Sequence, residues 1–389
     1  MIRGIYARKF PPQLIPVHDL THLLYAFGNV KPDTGEVFIS DPWADKDIHY
    51  PGDRWDEPGN NLYGNLKAIY LIKKHNRNLK TLFSIGGWTY SSNFHPVVVS
   101  PPLRAKFVES AVKILEDYGF DGLDIDYEYP TNDDQAKGFV NLLKELRSAL
   151  DHHAEKKKAN YRFLLSIAAP CGPEKYEKLH VAEMNKSLDF WNLMAYDFSG
   201  SWDTAANHMA NLHGGTLNGS QAIDWYIKKG VAANKIVLGI PIYGRSFMNT
   251  EGIGKPFHGV GIGTWEPGTY DYRVLPLPGS TVHNDLKAVA SWSYDSAKKE
   301  LVSFDDEKVA QLKGKYIVQK GLGGAMFWEL SGDKGFERPG IETGPGKDEQ
   351  PGKNLVHLVK GEFALLEDKH NWLGYEDSQY DNMKKGMKD

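Results

Sequence analysis

The run Phe120-Asp121-Gly122-Leu123-Asp124-Ile125-Asp126-Tyr127-Glu128-Tyr129-Pro130 sets acidic residues at alternate positions between apolar ones. Successive side chains of an extended strand point to opposite faces. Asp124, Asp126 and Glu128 therefore share one face, and Leu123, Ile125 and Tyr127 share the other. Alternate residues on a face lie roughly 7 Å apart. Three partly buried carboxyls at that spacing cannot all ionise freely. Mutual repulsion raises at least one pKa and leaves one acid protonated near neutral pH. Asp121 lies an odd number of residues from the other acids, so it is expected to face away and support the start of the strand.

A carboxyl that keeps its proton at neutral pH suits general-acid cleavage of a glycosidic bond. A metal site or a solvated acidic strand are the alternatives. The run lacks the loop glycine and alternating oxygen donors of a calcium loop, whereas magnesium needs fewer protein ligands and stays open. Apolar Leu123 and Ile125, with Pro130 ending the run, describe a strand buried on both sides.

Outward from this strand, short apolar runs recur: Gly4 to Ala7, His22 to Asn29, Leu79 to Gly86, Gly122 to Glu128, Phe163 to Ala168, Phe190 to Asp197, Ile236 to Tyr243, and Gly323 to Glu329. Helical periodicity fills Asn61 to His75, Leu103 to Tyr118, Gln135 to His153, Gln221 to Lys229 and Asp305 to Lys320. Eight apolar strands alternating with helices predict an α/β fold, a closed (β/α)₈ TIM barrel. About 80 residues separate the seventh run from the eighth. Within that gap, Ala290 to Tyr294 and Glu300 to Phe304 alternate like antiparallel strands. The expected organisation is a barrel over 1–245 and 305–389 with a C-terminal extension, and a small α+β insertion domain over 246–304 between strands 7 and 8. A last helix is expected over Leu355 to Glu367, and a polar surface tail over Asp377 to Asp389.

The 389 residues, 41% hydrophobic and 12% aromatic, can bury a large core. A net charge of −4 provides no basic field for nucleic acid or an anionic membrane, and fits a neutral polymer better. Cys171 is the single cysteine, which excludes an internal disulfide and cysteine-rich zinc sites. No apolar stretch approaches the ~18 residues of a membrane span, and the opening residues have no signal-peptide core. Asn185 and Asn218 head glycosylation tripeptides.

The distinctive polar and aromatic clusters fall at the C-terminal ends of proposed strands. These are Ser84-Ile85-Gly86-Gly87-Trp88, Met194-Ala195-Tyr196-Asp197, Tyr243-Gly244-Arg245 and Met326-Phe327-Trp328-Glu329. In a barrel such ends meet at one mouth. Trp88 and Trp328 offer flat faces for sugar rings, with Tyr196, Asp197 and Arg245 to bind hydroxyls. Gly86 and Gly87 are expected to permit tight backbone there.

On these motifs the chain resembles the family 18 chitinases, particularly the fungal and bacterial type with an α+β insertion. The motif Asp-x-x-Asp-x-Asp-x-Glu matches at Asp121, Asp124, Asp126 and Glu128, Ser-x-Gly-Gly at Ser84 to Gly87, and Met-x-Tyr-Asp at Met194 to Asp197. The likeness runs from Gly4-Ile5-Tyr6 to Tyr380-Asp381-Asn382. It implies hydrolysis of β-1,4 linkages between N-acetylglucosamine units of chitin and chitooligosaccharides with retention, without cofactor or metal, by a monomer. Such enzymes depart from the two-carboxylate scheme. Glu128 would protonate the leaving oxygen while the substrate's 2-acetamido oxygen attacks the anomeric carbon, giving an oxazolinium intermediate. Asp126 would hold the acetamide N–H, Asp124 would share a proton with Asp126, and Tyr196 would bond the acetamide oxygen. Trp328 would floor the subsite of the distorted sugar and Trp88 would stack on the product side. Asp197, Tyr243, Arg245 and Glu266 would bond sugars around the cut, and Met194, Tyr6 and Phe27 complete the implied substrate-binding set.

Two departures from the family pattern stand out. Only Met1, Ile2 and Arg3 precede Gly4, so strand one is expected to be short or incomplete. Either the start is truncated, which would also remove a signal peptide, or the barrel seam is weakened, and localisation stays open. Tyr127 stands where Trp is frequent, a swap expected to be tolerated off the catalytic face. The competing functions are a chitin-binding lectin, which the presence of Glu128 opposes, an endo-β-N-acetylglucosaminidase acting on N-glycans, and a metal-dependent barrel hydrolase.

Overall fold

A computed structural model of the chain describes residues 2–387. It contains two compact units: one is built from 1–168, 177–191 and 366–389, the other from 169–176 and 192–365.

The first unit carries β1 (His22–Val30), β2 (Val37–Ile39), β3 (Lys80–Gly86), β4 (Gly122–Asp126) and the start of β5 (Leu164–Pro170), in the order β5-β4-β3-β1-β2. β1, β3, β4 and β5 run parallel, and β2 pairs antiparallel with the end of β1. Every residue of β3 and β4 is buried, the condition expected of a parallel strand covered on both faces. Helices α1 (Gly64–His75), α2 (Phe94–Val99), α3 (Pro101–Tyr118) and α4 (Asp133–Lys156) supply the cover. Their ends follow local chemistry. α3 starts on proline, whose fixed φ suits the first turn, and stops at Gly119 with φ 77°, a left-handed value that favours glycine. The Asn132 side chain caps α4 by accepting the Gln135 N–H.

Seven of the eight expected strands form. Gly4 to Ala7 does not: a 3₁₀ helix occupies Ile2–Ile5 and a turn follows. The sequence there offers only a short apolar run with charged Arg3, Arg8 and Lys9 around it, too little to specify an extended strand. The C-terminal tail also departs from expectation. Rather than lying on the surface, it is tied into this unit. Ser378 Oγ donates to the Asp117 carbonyl and Gln379 N–H donates to Asp117 Oδ1, both at 2.9 Å, and Ser378, Tyr380, Met383 and Met387 are buried. The last two residues of that tail lie outside the described residues.

β6 (Phe190–Met194) begins in the first unit and ends in the second. The second unit continues with β7 (Ile236–Pro241), β8 (Tyr243–Phe247), β9 (Thr269–Asp271), β10 (Thr281–Asp285), β11 (Ala290–Asp295), β12 (Glu300–Ser303) and β13 (Gly324–Trp328). β13 pairs parallel with β7, which neighbours β6. The others form a separate antiparallel sheet, β10-β11-β12-β8-β9. Phe247 and Leu301 anchor it, with Trp292 and Tyr294 packed alongside. Helix Glu307–Lys320 is capped by Asp306 and ended by left-handed Gly321. The final helix is shorter than its apolar pattern suggests, covering Leu355–Lys360 and stopping at Gly361. Asn218 is buried and its side chain caps helix Gly219–Lys228, so that tripeptide offers no accessible amide for glycosylation.

Candidate active site

In the first unit, the β3–β4–β5 register sets Ser84, Asp124 and Ser166 side by side. Ser84 Oγ donates to Asp124 Oδ2 at 2.7 Å and Ser166 Oγ donates to Asp124 Oδ1 at 2.6 Å. Both oxygens of this buried carboxyl are thereby engaged. Asp126, two residues on along the same face, is 7% exposed, and its Oδ1 is buried without a hydrogen-bond partner. Its pKa is raised well above the usual carboxylate range, first by burial, then by the charges of Glu128 and Asp124 and by a hydrogen bond with Glu128. Burial and the two neighbouring carboxyls thus favour the protonated form of Asp126, which lies beside Glu128.

Glu128 is half-buried just beyond the end of β4. Its backbone N–H donates to Ser91 Oγ at 2.8 Å, and Ser91 Oγ in turn donates to the Gly87 carbonyl at 2.8 Å. Gly87 N–H donates to the Asp126 carbonyl at 2.9 Å. Here the glycines matter: a Cβ on Gly86 would lie 2.0 Å from the Asp126 carbonyl oxygen, and one on Gly87 would meet the Phe27 ring at 2.8 Å. Phe27 is half-buried, and the neighbouring Trp88 is 76% exposed, its face free to stack. Tyr6 is exposed and its hydroxyl donates to Asp41 Oδ2 at 2.8 Å. Asp121 faces away from the other acids, as expected. It receives Lys73 Nζ, Thr81 N–H and Trp372 N–H, each at 2.7 Å.

The second unit gathers the other expected residues. Tyr196 and Trp328 are both half-buried and pack on Met209, Ala210 and Tyr243. Half-buried Met194 ends β6, and the Tyr196 hydroxyl makes a 4.0 Å contact with Met326 Sδ. Asp197 Oδ1 accepts from the Tyr243 hydroxyl at 2.7 Å and from Arg245 Nε at 2.9 Å. Burial, followed by Asp197, pushes the Tyr243 phenol far above its ordinary value, so it remains a donor. Arg245 Nη1 reaches Thr269 Oγ1 at 3.1 Å, and its guanidinium lies 5.2 Å from the ring centroid of exposed Trp202. Glu266 is exposed and its charge acts on Arg245.

Four residues of these clusters went unread in the sequence. Ser166 was signalled only as a hydroxyl inside an apolar strand, and Trp202 as a large aromatic in a Gly- and Ser-rich loop. Ser91 and Thr269 carried no signal. Among the described residues, no group of three or more His, Cys, Asp or Glu is arranged to hold a metal ion. No helix there is long and apolar enough to cross a membrane.

The pattern described as "Glycosyl hydrolases family 18" matches residues 3–333. The chain belongs to that family. It is 47% identical over 391 residues to endochitinase 1 of Metarhizium robertsii, covering 99% of this chain and 88% of that protein. The catalytic domain of a psychrophilic chitinase B from Arthrobacter TAD20 superposes with a TM-score of 0.81 at 28% identity, over 93% of each chain. A mutant family 18 chitinase from Cycas revoluta, solved in complex with (GlcNAc)4, gives 0.74 at 28% identity, over 92% of this chain and 96% of that one. Family 18 membership makes the chain a glycoside hydrolase, and its fold class is the (β/α)₈ barrel with an α+β insertion.

Proposed function

We propose that this family 18 hydrolase cuts the β-1,4 linkages of chitin and chitooligosaccharides with retention, using the substrate's own acetamide as nucleophile. The observation that carries the reading is Asp126: a buried carboxyl flanked by Asp124 and Glu128, with its protonated form favoured and with Oδ1 lacking a hydrogen-bond partner.

Glu128 acts as the acid. Its proton passes to the glycosidic oxygen as the C1–O bond breaks, and the acetamide carbonyl oxygen attacks C1 to close an oxazolinium ring. Positive charge grows on the acetamide nitrogen in this step. Asp126 Oδ1 accepts that N–H, and the developing charge favours the ionised form of Asp126 while its proton moves to Asp124. The Ser84 and Ser166 hydroxyls keep Asp124 in place for that exchange. Tyr196 donates to the acetamide oxygen and Trp328 supports the distorted sugar. Glu128, now ionised, takes a proton from water as the water attacks C1 on the face the leaving group left, the C1–O bond of the oxazolinium ring breaks to restore the acetamide, and the proton on Asp124 returns to Asp126. C1 returns to its starting configuration and Glu128 to its acid form.

Trp88, Met194, Asp197, Tyr243, Arg245, Glu266, Tyr6 and Phe27 bind flanking sugars. The Asp197–Tyr243–Arg245 cluster supports this assignment, with one carboxylate orienting two donors before substrate arrives. The experiment is Glu128→Gln on a chitin hexamer. Turnover is expected to fall by at least about a hundredfold, within the usual range for a removed general acid, while the hexamer still binds. Near-parental turnover would refute the assignment.

A further inference from the structure

Just beyond the end of β4, Tyr127 is wedged between two helices. Its ring stacks on Phe94 of α2 at 5.1 Å and 13°, and meets Phe139 of α4 edge-on at 5.4 Å. The ring is buried, yet its hydroxyl has two partners: His95 Nδ1 at 2.7 Å and Gln135 Oε1 at 3.2 Å. With Tyr127 donating to Gln135, His95 can serve the tyrosine as donor through its Nδ1–H tautomer. Gln135 Oε1 also accepts the Thr131 N–H at 2.8 Å and the Thr131 hydroxyl at 2.9 Å. Gln135 is itself fixed at the start of α4, where its N–H bonds the Asn132 cap.

These bonds form a buckle. Tyr127 and Thr131 are the two ends of a five-residue span that carries Glu128, and both ends are fastened to one side-chain oxygen of Gln135. On the inner side the Glu128 N–H is pinned separately by Ser91. β4 stops at Asp126, two residues before Glu128. We propose that Gln135, acting through Tyr127 and Thr131, is a positioning residue for Glu128 that fixes the angle at which the acid meets the glycosidic oxygen. This rests on the reading of Glu128 as the acid. Burial raises the Tyr127 phenol pKa, so the hydroxyl keeps its proton and remains a donor. Neither Tyr127 nor Gln135 shares the face of the acids, so the buckle acts on the chemical step and leaves sugar affinity alone. A displacement of about 1 Å of a catalytic group can cost roughly a hundredfold in rate. Loosening one anchor of several should cost less.

The test measures kcat, KM and thermal stability on a chitin hexamer for Tyr127→Phe, Gln135→Leu, Gln135→Glu and the double variant Tyr127→Phe/Gln135→Leu, with Glu128→Gln alongside. Tyr127→Phe keeps the ring packing and therefore the fold. The expected result is a kcat lowered roughly tenfold in Tyr127→Phe and Gln135→Leu with KM within about twofold. Gln135→Glu keeps an acceptor oxygen and is expected to retain parental kcat. The double variant should be no slower than Gln135→Leu alone, because the Tyr127 anchor is already lost with the glutamine. A kcat within twofold of the parent in Tyr127→Phe and Gln135→Leu, whatever their melting temperatures, overturns the proposal. If Glu128→Gln is inactive in that same assay, only the buckle has failed. If Glu128→Gln turns over normally, both the acid assignment and the buckle fall.

Discussion

Ser166 Oγ lies 2.6 Å from Asp124 Oδ1, reaching across from β5 to a carboxyl on β4 that Ser84 holds from β3 at 2.7 Å. An acid clamped by two hydroxyls on neighbouring strands has a fixed orientation and little room to move. Deleting either hydroxyl leaves one oxygen of a buried carboxyl short of a donor.

Ser166→Ala and Ser84→Ala are each expected to lower the unfolding free energy by about 1–3 kcal/mol. Urea unfolding measures this. Turnover on chitin oligomers is expected to fall in both, since Asp124 loses the geometry needed to exchange a proton with Asp126. A stability loss with unchanged kcat would separate Asp124 from the chemistry.

The raised pKa of Asp126 gives stability a pH dependence with a definite sign. The folded chain holds a proton that the unfolded chain, with an ordinary value near 3.8, has released. Between those two pKa values the folded state binds more protons, so this group's contribution to stability falls as pH rises, by at most about 1.4 kcal/mol per pH unit. Asp126→Asn removes the titration. Its stability relative to the parent is expected to improve steadily as pH climbs from 4 toward the folded pKa, as read by urea unfolding across a pH series. A constant difference between the two proteins would contradict the buried proton.

Asp121 pairs with Lys73, and both side chains are fully buried. Burial lowers the Lys73 pKa to about 8 despite the opposing pull of Asp121. Asp121→Ala would leave that ammonium without its counter-charge and free the Trp372 and Thr81 N–H groups. A loss of about 3–5 kcal/mol is expected. Activity per folded molecule should remain near that of the parent, which an active-site titration alongside unfolding curves would check.

How much of this was legible beforehand depends on the range of each interaction. The alternation of Asp124 and Asp126 is a local, period-two signal, and it appears in β4, which ends two residues before Glu128. The helices flanking the strands appear as well, because amphipathic spacing and caps such as Asn132 and Asp306 are also local. Ser166 could not be read. Its role depends on parallel pairing with a strand 42 residues away, and nothing near it in sequence records that register. The tail misled for the same reason. Its polar composition suggests surface, but Ser378 and Gln379 hydrogen-bond Asp117 about 260 residues away in sequence. Gly4 to Ala7 failed in the opposite sense, because a four-residue apolar run specifies no strand by itself.

In the proposed reaction the substrate's acetamide is the nucleophile, with Glu128 as the single acid and Asp126 serving the acetamide. Anomer-resolved product analysis during the first turnovers on a chitin hexamer tests it most directly. The newly formed reducing ends are expected to appear first as the β-anomer and to equilibrate only later by mutarotation. Initial release of the α-anomer would mean direct displacement by water and would contradict it.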